Sequence, residues 1–167
     1  MDAHLIELIQ SLGYLGVWIT IMLESGVPAF FFLPGDSLLM TTGFLASQGY
    51  LNIVTLTAGC FVAAVVGHIV GYEIGRRIGL QLYEKGDSRF IKMKHLERAQ
   101  DFYNKYGHAM IVLARFVPVV RTLAPFIAGA VRMPYHKFII YTVIGALIWT
   151  VSLCLVGFYF GDIVVGH

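Results

Sequence analysis

The chain has 167 residues, 57% of them hydrophobic and only 13% charged, with a mean hydropathy of +0.74 and a formal net charge of +2. Soluble domains sit nearer about 45–50% apolar and about 25% charged, so the composition is that of an integral membrane protein. The charge is too small for a nucleic-acid footprint, and the length allows one compact bundle with no separate soluble domain.

The N-terminus lacks the basic region and small-residue cleavage site of a secretory signal peptide, so insertion rests on the spans themselves. Residues 8–23, LIQSLGYLGVWITIML, predict an N-terminal helix whose first turns are made amphipathic by Glu7, Gln10 and Ser11. Residues 24–49 interrupt apolar sequence with Pro28, Pro34 and Gly35 and embed Glu24 and Asp36, which predicts a re-entrant hairpin. Residues 51–72 are uncharged and long enough to span, which takes roughly 20 residues.

Eight of the twelve Lys and Arg residues lie between Arg76 and Lys105. The positive-inside rule therefore places the loop 73–108 in the cytoplasm. Within it, Leu96, Ala99, Phe102, Tyr103 and Tyr106 recur at helical spacing, Asp101 and Lys105 form an i,i+4 pair, and Gly107 suits a C-cap. These features predict an amphipathic helix lying on the membrane surface or on the bundle.

Residues 109–131 could span, yet one crossing would put Arg132 and Lys137 outside. A second re-entrant hairpin, broken by Pro118, Pro125 and Gly129, keeps 132–137 cytoplasmic instead. Residues 138–161 form the last span. Cys60 and Cys154 fall inside spans and read as small apolar packing residues, with no disulfide or metal spacing.

The two halves share an order, a Pro-broken segment followed by a continuous span. The spans close on GYEIG (71–75) and GFYFG (157–161), a matching Gly-aromatic-x-x-Gly. One crossing per half sets the halves in opposite orientations, as in transporters built on inverted repeats. The fold class expected is an all-α membrane protein: an N-terminal helix, then an inverted repeat of re-entrant helical hairpin plus transmembrane helix. Gly-rich spans also allow the close helix contact that a homo-oligomer would use.

Four charges lie at membrane depth: Glu24, Asp36, Arg115 and Arg121. Each costs about 2.5–3.5 kcal/mol at a helix centre, so the set must be paired or hydrated. Facing hairpins would bring acids and arginines together as counter-ions. Guanidinium is a planar fork suited to phosphate, and broken helices add N-termini that favour anions. Arg115 and Arg121 are therefore candidate ligands for a lipid phosphate, with Glu24 and Asp36 as counter-ions or proton carriers. His68 reads as a hydrogen-bonded packing residue, Trp18 and Trp149 as packing or interface residues, and Glu73 as part of a solvated cluster with Arg76 and Arg77.

The blocks ESGVP, FLPGDSLL, GYEIGRRIG, RFVPVVRTLAPFIAGAVRM and GALIW resemble the bacterial DedA family, part of the wider VTT or SNARE-associated-Golgi-like group. The resemblance runs through nearly all of residues 10–161. It implies opposing re-entrant hairpins in the bacterial inner membrane, and a role in translocating lipid. The implied substrates are undecaprenyl phosphate and phosphatidylethanolamine. It places the functional acids at Glu24 and Asp36 and the essential arginines at Arg115 and Arg121. It also implies a further spanning helix beyond His167, where this chain stops. A passive scramblase and a lipid-modifying enzyme are the rival expectations. The sequence carries no phosphatase triad, acidic metal cluster, HExxH or nucleophile elbow, so a transporter without cofactor or metal is expected.

Overall fold

The computed structural model describes residues 3–30, 32–85, 101, 105 and 118–165. These form α1 (Ala3–Gly26), a short 3-10 turn (Pro28–Phe30), α2 (Gly35–Ser47), α3 (Ile53–Lys85), α4 (Pro118–Ala130) and α5 (Tyr135–Val165). The all-α class expected from the sequence is observed, with no strand among the described residues. Arg115 and most of the expected surface helix lie outside the described residues. Asp101 and Lys105 are described, and both are helical.

The long helices follow from uninterrupted apolar sequence, and the short ones from where proline allows a helix to begin. Ile53–Gln81 and Tyr135–Val164 are each apolar and long enough to cross a bilayer. At 1.5 Å per residue, α3 and α5 are roughly 45–50 Å long, against about 30 Å of hydrocarbon. Both overrun the expected spans of 51–72 and 138–161. In particular, 73–85 continues α3 and is not loop, because GYEIGRRIGLQLYEK contains no proline. The thirteen-residue α2 and α4 are only about 20 Å each, too short to cross.

The breakers fall unevenly. Pro28 opens the 3-10 turn, and Pro34 occupies the N-cap position of α2, so the first interruption runs from 27 to 34. Glu24, expected at the start of the hairpin, instead lies in the last turn of α1, which continues to Gly26. Pro118 is the first residue of α4, where its missing N–H would have had no helical partner. Pro125 and Gly129 do not break the chain as expected: both lie inside α4, which runs on to Ala130. Pro125 removes one donor from an otherwise continuous helix. Gly129 serves contact, since a Cβ there would overlap the Tyr72 carbonyl of α3.

After each short helix the chain turns in the same way. Gly49 N–H donates to the Ala46 carbonyl (3.1 Å) and Tyr50 N–H to that of Leu45 (3.2 Å). Eighty-three residues on in the numbering, Arg132 N–H donates to Gly129 (3.0 Å) and Met133 N–H to Ala128 (2.9 Å). Both are Schellman turns, with a left-handed residue at φ 80° (Gly49) and 54° (Arg132). The long helix then starts within a few residues. For α3 the start is capped by Asn52, whose Oδ1 accepts from the N–H groups of Val54 (2.9 Å) and Thr55 (3.1 Å). Replacing Asn52 with alanine orphans those donors. It should lower thermal stability by about 1 kcal/mol in a detergent melt, with Asn52→Asp close to wild type.

Packing is set by glycine. Gly26 and Gly67 meet where α1 crosses α3. The matching motifs both seat a short helix: Gly75 of α3 receives α4, with Gly71 set between the Gly26 backbone of α1 and Pro125 of α4, while Gly157 and Gly161 of α5 receive α2. One buried cluster joins Val17 and Ile21 of α1, Leu39 of α2, Leu56, Cys60 and Ala64 of α3, and Ala146, Trp149 and Cys154 of α5. Both cysteines are free and buried there. The outer surface is apolar, with Val54, Val62, Val66 and Val70 exposed along one face of α3.

Candidate functional site

The membrane-embedded charges converge at the interruption between α1 and α2. Arg121, in the first turn of α4, donates from Nη1 to Asp36 Oδ1 at 2.6 Å and from Nη2 to Glu24 Oε1. A single guanidinium thus holds both acids, using the forked donor geometry peculiar to arginine. Trp149 of α5 completes the arrangement: its Nε1 donates to the same Asp36 oxygen at 2.9 Å, and its ring lies 4.5 Å beneath the Arg121 guanidinium carbon. The helices α1, α2, α4 and α5 contribute one residue each.

Burial separates the two acids. Arg121 and Glu24 are 4% and 2% exposed, whereas the Asp36 side chain is 39% exposed. Gly35, the first residue of α2, makes room for Glu24, since a Cβ there would overlap the carboxylate. Glu24 Oε2 is buried against that glycine and has no hydrogen-bond partner of good geometry among the described residues.

The helix dipoles work against two of the three groups. Glu24 lies at a helix C-terminus and Arg121 in the first turn of a helix, each at the end that favours the opposite charge. Only Asp36, in the first turn of α2, is at a favourable end. Among the described residues, and with both acids ionised, the cluster carries one net negative charge. A buried, doubly occupied arginine with one excess negative charge is poor design for rigidity alone, because desolvation offsets most of the attraction.

The structure therefore brings together Glu24, Asp36 and Arg121 of the residues singled out from sequence, and Arg115 lies outside the described residues. Trp149, read as a packing or interface residue, is buried in the core cluster and is also a direct partner of both Asp36 and Arg121. Its signal was present in the GALIW block, but nothing in that block's spacing says which way an indole points. His68 is buried, with Nδ1 2.5 Å from the Ala64 carbonyl, away from the charged cluster's hydrogen bonds. Among the described residues, no three His, Cys, Asp or Glu side chains gather where they could hold a metal.

Residues 33–159 match the VTT domain family. The chain is 41% identical over 168 aligned residues to the protein DedA of Escherichia coli, covering 98% of this chain and 77% of that one. An uncharacterised membrane protein of Mycobacterium leprae is 39% identical, over 87% of this chain and 65% of its own. A Lactococcus lactis relative named alkaline phosphatase-like protein is 29% identical, over 97% of this chain and 77% of its own. No solved structure matches significantly.

Proposed function

Because this chain belongs to the DedA family of VTT-domain membrane proteins, we propose that it is a translocase for a phosphate-bearing lipid, with undecaprenyl phosphate as the first substrate to test. The membrane is the bacterial inner membrane, with 73–108 and 132–137 on the cytoplasmic side by the positive-inside rule. The halves α2–α3 and α4–α5, each a short helix, a Schellman turn and a long helix, are read as an inverted repeat. The short helices are the inner limbs of two opposed re-entrant segments.

The observation that carries the proposal is the occupancy of Arg121. Its fork is filled by two carboxylates, which are the groups a phosphate would have to displace. Exchange then requires the acids to lose charge as the phosphate arrives. Glu24 can take a proton on Oε2 while Oε1 still faces Arg121, and Asp36 is exposed enough to trade protons with water. Protonating either acid brings the cluster from −1 to neutral, and a phosphate can then bind without adding a second uncompensated charge. Proton uptake and phosphate binding become one event, and Arg115 is assigned as the second phosphate ligand.

The test is lipid movement in liposomes under an imposed pH gradient. Wild type should move undecaprenyl phosphate in step with the gradient. The double variant Glu24→Gln with Asp36→Asn keeps the shape and removes both carboxylates that can take the proton, so it should move lipid without responding to the gradient, and Arg121→Ala should move none. The proposal is overturned if Arg121→Ala transports as fast as wild type, or if the double variant keeps the full gradient response. Release of inorganic phosphate from the lipid would instead indicate an enzyme.

A further inference from the structure

We propose that the groove between α2 and α5 holds the hydrocarbon chain of the lipid whose phosphate meets Arg121, which rests on the reading of that cluster as a phosphate site. The groove has a volume of about 260 Å³ and is lined by Met40, Thr41 and Phe44 of α2 and by Gly157 and Phe160 of α5. Sites for whole small molecules run to about 300–1,000 Å³, so a space of this size fits a stretch of chain.

Both walls start at the charged cluster. On α2, Asp36, Met40 and Phe44 are spaced i, i+4, i+8; on α5, Trp149, Leu153, Gly157 and Phe160 are spaced i, i+4, i+8, i+11. Each set forms one stripe of its helix. The two helices run parallel here, because Gly157 meets the Met40 carbonyl and Gly161 meets Ser47, further along both. The stripes therefore leave the Asp36–Trp149 hydrogen bond together and proceed side by side. At 1.5 Å per residue, Asp36 to Phe44 is about 12 Å and Trp149 to Phe160 about 16 Å. That is close to half of the roughly 30 Å hydrocarbon thickness, the depth of one leaflet. By the topology proposed above it is the outer half, so this conformation takes its chain from the outer leaflet.

The lining suits a chain and not a head group. Thr41 turns its hydroxyl back onto the Ser37 carbonyl at 2.7 Å, and Ser47 turns its own onto the Phe44 carbonyl at 2.7 Å, so neither hydroxyl needs a partner from the groove. Met40 and Phe160 are exposed, and a thioether beside an aromatic ring adapts to an irregular chain. A second apolar groove gives the contrast. It is larger, about 420 Å³, with Val54, Thr57 and Phe61 of α3 facing Leu147, Val151 and Leu155 of α5. Yet Leu147 and Val151 are each two residues from Trp149, about 200° around the helix, so that wall does not lead back to the cluster. Size favours the second groove; continuity with the phosphate site favours the first.

The experiment photolabels the wild-type protein in liposomes with undecaprenyl phosphate carrying a diazirine on its chain, and in parallel with the undecaprenol carrying the same group. Adducts are mapped by peptide mass spectrometry. The phosphate lipid should label Met40–Phe44 and Gly157–Phe160 about tenfold more than the alcohol does, the scale of one charge-assisted hydrogen bond. Val54–Phe61 of the second groove should take up both lipids alike. Phe160→Ser changes an exposed side chain and should cut the phosphate-dependent labelling about threefold, part of what a buried aromatic contributes. Equal labelling of the α2–α5 groove by the two lipids overturns the proposal, and so does phosphate-dependent labelling confined to the second groove. Lipid movement in the same liposomes separates this proposal from the translocase reading. Phosphate-dependent labelling of the α2–α5 groove without movement keeps the groove and removes the translocase. Movement without that labelling keeps the translocase and removes the groove.

Discussion

Arg121→Ala is expected to destabilise the protein by about 3–5 kcal/mol, the effect of removing one partner from a buried ionic group. Glu24 would remain 2% exposed, at the unfavourable end of α1 and without its only described ion pair. Asp36 would suffer less, because it is part-exposed and keeps the Trp149 hydrogen bond. The check is a thermal melt in detergent of Arg121→Ala, Glu24→Gln and the double variant. Glu24→Gln should be the milder single change, since Asp36 still pairs Arg121. The double variant should recover much of the loss seen in Arg121→Ala, giving a coupling energy well above the roughly 0.3–0.5 kcal/mol scatter of independent sites. Additive losses would mean that the two groups do not act as a pair.

The second large effect is expected at Gly75. A Cβ at this position falls on the Phe126 carbonyl, and a backbone oxygen cannot rotate out of the way. Gly75→Ala should therefore push α4 off α3 and destabilise by about 1–3 kcal/mol, although alanine is the better helix former. Because α4 carries Arg121, the displacement should also misplace the guanidinium and reduce lipid movement in proportion. Gly13→Ala is the control: beyond its own stretch of helix, no atom of the described residues lies within 4 Å of its would-be Cβ, so it should melt at or above wild type. Equal behaviour of the two variants would remove the claim that α4 is seated by glycine contact.

Much of this architecture follows from composition and order. Uncharged runs too long for a soluble core become α3 and α5 because only helices satisfy their own backbone in lipid. Pro28 and Pro34 mark the first interruption because proline cannot continue a helix interior. The same rule misleads at Pro125, where the remaining helical hydrogen bonds and burial against α3 carry the helix through a missing donor. Helix ends are also poorly legible. No local signal separates Glu24 in the last turn of α1 from Glu24 in a hairpin limb, nor stops α3 before Lys85.

Charge neutrality in a low-dielectric interior required acids to meet arginines, and that much was readable from Glu24, Asp36 and Arg121 as residue types at membrane depth. Which arginine takes which acid was not readable, because it depends on three helix ends from distant parts of the chain meeting at one point. Only the packed structure shows one guanidinium shared by both acids, an indole beneath it, and a carboxylate seated against the backbone of Gly35. The paired Gly-aromatic-x-x-Gly motifs were visible as a repeat. That each receives a short helix from the other half was decided by backbone contact across the bundle, a property of no single segment.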